Sequence, residues 1–532
     1  MTELLLGVDV GTHMTKGVLC TPGGDIVAAV SVEHPTETPR AGWYEQDAEA
    51  WWWGDFCRVT RALLAQDGGR GYTGGGRGYT GVRAADVVGV GCSAMTPNML
   101  PLDRAGVPLR SAILYCDSRS LEIYPGILDK ISDDEILRLG GFPLTAHGGW
   151  QGGQLLWMRR HQPDLYERTC KVVGTANYLV YRLTGAFVAD YALARCNVPF
   201  YDQHRRAWSE EMCRLFDVPV CLFPDRIGYS TEMAGTVTAA AARECGLMEG
   251  TPVTLGALDT NADMVAAGVT EPGDVGLAYG TTLIGSKCLR GRVRPEPYAG
   301  VAGFSNDYVV PDRYLCGSGV SSGGALVRWF RDVFGAEEAR AEAEGGPNAF
   351  AALSALATAA SPGSEGLIVV PMFDGNRLLL GERLAPGTVI GLSTFHGRAH
   401  LYRAILEGTA YETRRQLEQI APWIPLAHVR SVGGGTQNRA WTQIMSDVLN
   451  VEQHCFPDTL GAPYGDAYLA GLGVGLFAGF EPLKSGWMRR PGRGGTVVSP
   501  APEAREVYER TYALYLDVLR LLGLEDSSLR SE

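Results

Sequence analysis

The chain has 532 residues, of which 45% are hydrophobic and 20% are charged, a balance that excludes a disordered chain and favours a globular protein of more than one domain. Its formal net charge is -12, and the absence of long Lys/Arg runs excludes nucleic acid as the expected partner. No apolar run reaches the roughly 18 residues of a membrane span, and the twelve cysteines form no C-x-x-C pairs. We therefore expect a cytoplasmic protein with reduced thiols and no membrane partner.

The chain opens with a predicted three-stranded meander. The segment from Leu4 to Thr12 is predicted as a strand that ends in a tight polar turn, and further strands are predicted from Thr15 to Cys20 and from Ile26 to Val32. Pro22-Gly23-Gly24-Asp25 supplies turn residues between the last two strands. The first lobe therefore begins with strands joined by short turns.

The first turn of this meander is a candidate phosphate site. Gly11 allows backbone N–H groups to approach phosphate oxygens, the Thr12 hydroxyl can donate to them, and Lys16 adds a compact positive charge. Asp9, at the strand end, is a hard oxygen ligand suited to Mg2+. The alternative is an ordinary hairpin with a solvated lysine and a turn-forming aspartate.

A glycine-rich insertion follows at residues 67–81. The heptapeptide Gly-Gly-Arg-Gly-Tyr-Thr-Gly occurs twice in tandem, at residues 68–74 and 75–81. So much glycine carries a large entropic cost of ordering, which predicts a flexible surface segment. A nucleic-acid tether is the alternative, but two arginines are too few to favour it.

The lobe boundary is predicted near residue 255, which gives an N-terminal lobe over 1–255 and a C-terminal lobe over 256–532. A strand from Pro252 to Leu258 is predicted to enter the second lobe, and Asp259 stands at its tip. A carboxylate at a lobe junction is well placed to accept a proton from a sugar hydroxyl, with Thr260 beside the same substrate. Without that context, an aspartate here is more typical of a helix N-cap.

The second lobe carries two further glycine turns. Gly280-Thr281 follows a predicted strand, Val275 to Tyr279, and repeats the Gly-Thr pattern of the first lobe. The segment from Gly433 to Asn438 lies between a predicted strand and an amphipathic helix, where glycines would let a flat adenine lie against the backbone. A strand-to-helix loop with Thr436 or Asn438 as N-cap is the alternative. A C-terminal helix after Pro502 is predicted to pack as a cover.

The order and spacing of these motifs resemble the FGGY carbohydrate kinase family, from Leu4 to about Gly475. The segments that carry the resemblance are Gly7–Thr12 with Lys16, Gly42–Asp47, Ile113–Arg119, Tyr181–Gly185, Ala234–Val237, Glu271–Gly273, Tyr279–Thr281 and Gly433–Gly435. The resemblance implies an α/β fold of two actin-like (ribonuclease-H-like) lobes with a catalytic cleft between them. It also implies phosphoryl transfer from ATP, with Mg2+, to a sugar hydroxyl.

Roles for individual residues follow from the same resemblance. Asp259 matches the family's catalytic general base, and Asp9 is the expected metal ligand. The implied nucleotide-binding residues are Gly11, Thr12, Lys16, Gly280, Thr281, Gly324, Gly434, Gly435 and Asn438. The implied substrate residues are Thr96, Tyr115, Asp117 and Thr260, with the loop from Met95 to Asn98.

The acceptor is less well defined than the reaction. The loop Ala94-Met95-Thr96-Pro97-Asn98 replaces the Gly-Gln-Met-His-Gly loop usual in xylulose kinases, and Tyr115 replaces the usual tryptophan. The remaining motifs look most like xylulose kinases, so a ketopentose such as xylulose is the expected acceptor, with another polyol, sugar or sugar acid as the alternative. The sequence is also compatible with a homodimer.

Two functions of other classes are alternatives to a kinase. Gly319-Val320-Ser321-Ser322-Gly323 fits the G-x-S-x-G pattern, in which Ser321 would be the nucleophile of a serine hydrolase. The early strands of the chain do not follow the order of an α/β-hydrolase, and no pattern identifies Asp and His partners for Ser321. The second alternative is a non-catalytic actin-like ATP-binding module, but the sequence shows no appended peptide-binding domain of the kind that chaperones of this class carry.

Overall fold

The structure is a computed structural model that describes residues 3–65, 81–141, 149–291, 304–320, 322–373, 387–426, 428–456, 461–488 and 495–524. Ser321 and, apart from Gly81, the glycine-rich insertion lie outside the described residues. Within these ranges, every helix is too short or too polar to cross a bilayer.

The strands of the first half are β1 (Leu4–Val10), β2 (Met14–Cys20), β3 (Ile26–Glu33), β4 (Glu45–Gln46), β5 (Val87–Ala94), β6 (Leu100–Leu102), β7 (Ala112–Ile113), β8 (Lys171–Val173), β9 (Val188–Asp190), β10 (Tyr201–Asp202), β11 (Ala207–Trp208), β12 (Arg226–Gly228), β13 (Met233–Thr236), β14 (Pro252–Thr254) and β15 (Ala257–Leu258). Its helices are α1 (Gly54–Leu64), α2 (Tyr124–Leu128), α3 (Asp133–Gly140), α4 (Gln151–His161), α5 (Pro163–Arg168), α6 (Thr175–Thr184), α7 (Tyr191–Arg195), α8 (Glu210–Leu215), α9 (Ala239–Cys245) and α10 (Asp259–Ala266).

The strands of the second half are β16 (Val275–Tyr279), β17 (Leu283–Leu289), β18 (Phe304–Asp307), β19 (Tyr314–Val320), β20 (Ile368–Val370), β21 (Thr388–Ile390), β22 (His428–Val432), β23 (Glu452–Phe456) and β24 (Thr496–Val498). Its helices are α11 (Gly323–Phe334), α12 (Ala336–Ala343), α13 (Ala349–Thr358), α14 (Arg398–Gln419), α15 (Arg439–Leu449), α16 (Ala462–Gly473) and α17 (Arg505–Leu521).

Two large mixed sheets of similar design form the framework. The first has the order β13-β14-β5-β1-β2-β3, with β15 also paired to β5, and the second has the order β18-β19-β17-β16-β22-β23-β24. In each, the leading strand pairs antiparallel with the next strand and parallel with a later one: β1 lies between β2 and β5, and β16 lies between β17 and β22. The predicted opening meander and the two-lobe α/β arrangement are confirmed.

One predicted strand is wrong in detail. The segment from Pro252 to Leu258 forms two strands, β14 and β15, because Gly256 between them adopts a φ of +86° that ends the extended backbone. Both strands pair with β5, so these residues lie in the first sheet and do not open the second. The boundary at residue 255 stays a prediction.

Helices α10 and α16 cross at the junction of the two halves. A hydrophobic cluster there joins Leu5 and Val18 of the first sheet to Ala278 and Val432 of the second through α16. The backbones approach closely: a Cβ added at Gly465 would overlap the carbonyl oxygen of Ala262 in α10. This crossing fixes the start of α10, and therefore Asp259, between the two sheets.

Two further sequence expectations concern the core. The predicted stripe after Asn438 is the buried face of α15, and Tyr508 and Tyr515 of α17 are buried, so the C-terminal helix does cover the second half. Trp52 and Trp53 pack into the core of the first half, as expected for a helix-core role.

Candidate active site

The turn between β1 and β2 is held from behind by side chains. Gly11 N–H donates to the Met14 carbonyl oxygen at 3.0 Å, which closes the turn. The Thr12 carbonyl oxygen accepts from Gln46 Nε2 at 2.8 Å and from Thr36 Oγ1 at 3.1 Å. These hydrogen bonds satisfy the Thr12 carbonyl and restrain the turn.

His34 is a second support for the same turn, and sequence reasoning missed it. Its Nε2 lies 3.0 Å from the Gly11 carbonyl oxygen and its Nδ1 lies 2.8 Å from Asp55 Oδ2. His34 therefore links the turn to Asp55, which also pairs with Arg58.

Asp9 takes part in a buried chain of hydrogen bonds with two residues that the sequence did not indicate. Ser93 Oγ lies 3.1 Å from Asp9 Oδ1 and 2.7 Å from Asp466 Oδ2. Burial raises the pKa of Asp466 well above its usual range and also raises the pKa of Asp9. The Ser93 hydroxyl therefore links two buried carboxyl groups.

Asp259 is the first residue of α10. Its Oδ1 accepts from Thr260 N–H at 2.7 Å and from Thr260 Oγ1 at 3.3 Å. Burial raises the pKa of Asp259 to about 8, and the negative charges of Asp9 and Asp263 contribute to the rise. The structure therefore brings Asp259 within electrostatic reach of Asp9, at the end of the strand that leads into the β1–β2 turn. The sequence proposed Asp259 and this turn as partners in one site.

The acceptor-side residues meet the same turn. The Tyr115 hydroxyl lies 3.3 Å from Thr12 Oγ1, and Tyr115 N–H donates to Asn98 Oδ1 at 2.8 Å. Asn98 is buried and donates through Nδ2 to Thr175 Oγ1 at 2.8 Å, whereas Thr96 is half-buried. The loop around Thr96 and the segment at Tyr115 thus form one wall beside Thr12.

Asp117 is engaged by the protein itself. Its carboxylate pairs with Arg119 through two hydrogen bonds, Nε to Oδ1 at 2.8 Å and Nη2 to Oδ2 at 2.7 Å, and it accepts from Tyr44 N–H at 2.7 Å. Arg119 in turn stacks on Trp43, with its guanidinium carbon 3.9 Å from the ring centroid. These contacts fix the segment that carries Tyr115. Both Asp117 oxygens accept hydrogen bonds within the protein, and its predicted contact with the sugar stays a prediction.

On the opposite wall, Gly280, Thr281 and Gly324 lie together. Gly324 N–H donates to the Gly280 carbonyl oxygen and Ala325 N–H donates to the Thr281 carbonyl oxygen, both at 3.1 Å. A Cβ on Gly324 would overlap the Gly280 carbonyl, so only glycine allows α11 to begin against this turn.

The third glycine turn, from Gly433 to Asn438, ends in the N-cap residue of α15. Gly433 has a φ of +96°, and open space surrounds the Cα of Gly434. Asn438 Oδ1 accepts from Trp441 N–H at 3.1 Å and its Nδ2 donates to the Tyr402 hydroxyl at 3.0 Å. The N-cap alternative for Asn438 is therefore confirmed, and Gly434 is the member of the turn with room for a ligand.

The Asp9 carboxylate fits a magnesium site in which water and phosphate oxygens supply the other ligands. In the described ranges, no group of three or more His, Cys, Asp or Glu side chains is arranged to hold a metal ion alone. Mg2+ in phosphoryl-transfer sites needs only one or two carboxylates, because water and substrate phosphates supply the remaining oxygens. Asp9 meets that requirement.

Two α/β lobes that each carry a Gly-Thr turn, with Asp259 at the start of α10 where the lobes meet, form the arrangement expected of a two-lobed phosphotransferase. The family model "FGGY family of carbohydrate kinases, N-terminal domain" matches residues 4–266, and the corresponding C-terminal domain model matches residues 280–474. The chain belongs to the FGGY family of carbohydrate kinases. This membership favours the kinase over the hydrolase that Ser321 suggested and over a non-catalytic module.

Similar proteins act on several acceptors. The chain is 25% identical to a xylulose kinase of Bacillus subtilis (strain 168), over 97% of this chain and 96% of that protein. It is 28% identical to a glycerol kinase of Nocardia farcinica (strain IFM 10152), over 92% and 93% of the two chains. The crystal structure of a xylulose kinase from Rhodospirillum rubrum is 27% identical, with a TM-score of 0.81 over 98% of this chain and 99% of that chain.

Proposed function

We propose that this protein transfers the γ-phosphoryl group of ATP to a hydroxyl of a ketopentose such as xylulose. The observation that carries the proposal is the position of Asp259, which starts α10 at the lobe junction and lies within electrostatic reach of Asp9. Phosphoryl transfer depends mainly on positioning and charge stabilisation, which a carboxylate at this junction and the candidate phosphate turn would supply together.

In this reaction Asp259 is the general base. The sugar hydroxyl oxygen forms a bond to the γ-phosphorus while the bond from that phosphorus to the β–γ bridging oxygen breaks, and ADP leaves with that electron pair. The hydroxyl proton passes to Asp259, whose raised pKa makes it a stronger proton acceptor than an ordinary aspartate. Thr260, which donates to Asp259 Oδ1, holds the carboxylate in one orientation.

The phosphates lie between the two Gly-Thr turns in this proposal. Gly11, Thr12 and Lys16 contribute N–H, hydroxyl and ammonium donors from one lobe, and Gly280 and Thr281 contribute donors from the other. The adenosine lies against the second lobe, where the proposed nucleotide-binding residues are Gly324, Gly434, Gly435 and Asn438. Asp9 would hold Mg2+, directly or through water, and the ion would neutralise charge on the phosphates.

The acceptor assignment rests on similarity and on the wall that Thr96 and Tyr115 form. Xylulose kinases are among the similar proteins in sequence and in fold, and a ketopentose offers a primary hydroxyl to Asp259. Because gluconate and glycerol kinases are also similar, an acceptor panel of ketoses, polyols and sugar acids is part of the test. A cytoplasmic location fits this role.

The test is the variant Asp259→Asn, assayed by coupled ADP release with xylulose and by direct titration with ATP. We expect sugar phosphorylation to fall about 100- to 10,000-fold, because the base is lost, while ATP affinity stays close to that of the parent. Asp164→Asn, on the exposed first turn of α5, is the matched control and should keep full activity. Loss of ATP binding in Asp259→Asn, or unchanged turnover, would contradict the assigned role.

A further inference from the structure

Arg195, the last residue of α7, is buried and forms no ion pair with another described residue. It is 6% exposed, and its contacts are a long Nη1 hydrogen bond to the Gly140 carbonyl oxygen at 3.4 Å and the face of Trp150, 5.7 Å from the ring centroid. Its Nε has no hydrogen-bond partner among the described residues. A buried cation in this state loses hydration without compensation, so the site is incomplete without another group.

The nearby carboxylates of Asp190 and Asp307 do not supply the missing partner of Arg195. Asp190 accepts from Ser230 Oγ at 2.6 Å and from Leu193 N–H at 2.7 Å. Asp307 pairs with Arg206 at 2.9 Å. Both carboxylates are used by other groups, and neither forms an ion pair with Arg195.

The end of α7 lies beside the acceptor wall. Helix α7 packs against β15, the strand that leads into Asp259. The Cys196 thiol lies near the Thr96 side chain and donates to the Ala192 carbonyl oxygen at 3.5 Å. The Cys196 carbonyl oxygen accepts from Gln151 N–H at 3.1 Å. Gln151 Nε2 donates to the Asn98 carbonyl oxygen. Arg195 is therefore adjacent to the loop that carries Thr96 and to the strand that positions the base.

Other buried polar atoms in the segments that meet the end of α7 also lack partners among the described residues, and they come from both lobes. Gly141, next to the carbonyl that Arg195 contacts, accepts from Ser305 N–H at 3.3 Å, and a Cβ on Gly141 would lie 2.8 Å from Gln203 Oε1. The partnerless buried atoms of the described residues here include Gln203 Oε1, Ser305 Oγ and Asn197 Oδ1. Buried polar groups are nearly always paired in proteins, so this group of them marks a place for a polar ligand.

The chemistry of the guanidinium defines what that ligand presents. Arginine has five N–H donors and no acceptor, so its partner must accept hydrogen bonds. A sugar hydroxyl can donate or accept, whereas a carbonyl or carboxylate oxygen only accepts. We propose that Arg195 is a specificity-determining residue that binds an accepting-only oxygen of the acceptor, which in a ketopentose is the C2 carbonyl of the open-chain form. This inference rests on the proposed sugar kinase function.

The test compares acceptors that differ at that group. Xylulose is paired with xylitol, in which a hydroxyl replaces the carbonyl, and gluconate is paired with glucitol, in which a hydroxymethyl group replaces the carboxylate. We expect the parent enzyme to prefer the first member of a pair and Arg195→Met to lose about 10- to 100-fold in kcat/KM on that member, mostly through KM, because a charge-assisted hydrogen bond is lost. Activity on the alditol should change less than about threefold, within the range of a neutral surface substitution.

A second readout separates a ligand-binding arginine from a structural one. Removing an unpaired buried cation should leave the thermal midpoint unchanged or raise it, with ATP binding intact. Arg205→Met, at a neighbouring arginine whose side chain is 85% exposed, is the control and should change neither midpoint nor acceptor ratio. A lower midpoint in Arg195→Met together with an equal loss on both members of the pair would overturn the proposal.

The two acceptor pairs also distinguish a failure of the Arg195 role from a failure of the ketopentose assignment. If the parent phosphorylates gluconate and not xylulose, the ketopentose assignment fails, and Arg195 is judged on the gluconate–glucitol ratio. If the parent uses xylulose and Arg195→Met keeps the parent ratio, the kinase assignment stands and the role of Arg195 is refuted. A parent enzyme that uses neither xylulose nor gluconate refutes both.

Discussion

Neighbouring groups set the proton affinity of Asp259, the proposed general base. Burial raises the pKa of Asp259 to about 8, with further contributions from Asp9 and Asp263. Burial and the charge of Asp9 also raise the pKa of Asp263, to about 7, against the lowering effect of Lys16. A general base acts only when unprotonated, so kcat/KM should increase with pH through a range well above the ordinary aspartate value of about 4.

This coupling gives a prediction with a definite sign. Asp263→Asn removes a negative charge that favours the protonated form of Asp259, so the pKa of Asp259 falls and the rise of kcat/KM moves to lower pH. Profiles of kcat/KM from about pH 5 to about pH 9 would measure the shift. Asp517→Asn, on the exposed face of α17, should leave the profile in place. A shift of the Asp263→Asn profile to higher pH would refute the electrostatic account.

At the scale of elements, the crossing of α16 over the first sheet and α10 depends on glycine. A Cβ on Gly465 would overlap the Ala262 carbonyl oxygen, and Cβ atoms on Gly7 and Gly91 would overlap the carbonyl oxygens of Pro463 and Asp466. These approaches bring Asp466 to Ser93 and hold the first turn of α10. The packing of one helix therefore positions both Asp9 and Asp259.

Gly465→Ala tests this packing. The added methyl must displace α10 or α16, which we expect to lower stability by about 1–3 kcal/mol and to lower turnover, since Asp259 moves with α10. Gly126→Ala is the control, because that glycine lies on an exposed face of α2 with open space around it and alanine favours the helix. Thermal midpoints of the two variants measure the difference. Equal midpoints would show that α10 and α16 can separate without cost.

The sequence predicted the elements whose signals are local. The meander β1–β3, strand β16 with its Gly-Thr turn and the buried face of α15 follow from apolar periodicity and turn residues within short windows. The residues that support the site could not be predicted in this way. His34 contacts Asp55 and Ser93 contacts Asp466, and in each case the partners lie on different elements. Such contacts depend on strand register and on close helix packing, and no short window contains them. Asp259 could be proposed as the base from the sequence because its motif is contiguous.

At the scale of the whole molecule, the two lobes are also joined by an ion pair away from the helix crossing. Arg206, which follows β10 in the first half, pairs with Asp307 of β18 in the second half at 2.9 Å, and its Nη1 donates to the Tyr229 hydroxyl at 2.8 Å. Asp307 is 2% exposed. A buried carboxylate of this kind is costly without its cation, so Arg206 holds β18 against the first lobe.

Removing Arg206 should therefore destabilise the molecule through the charge that it leaves behind. We expect Arg206→Met to lower the thermal midpoint, in line with a loss of about 3–5 kcal/mol for breaking a buried pair. Adding Asp307→Asn to that variant should restore part of the loss, because the uncompensated carboxylate is gone. Arg214→Met, which breaks an exposed pair with Glu210, should have little effect. If the double variant is as unstable as the sum of the two single variants predicts, the pair is not coupled, and the lobes are held at this edge by packing alone.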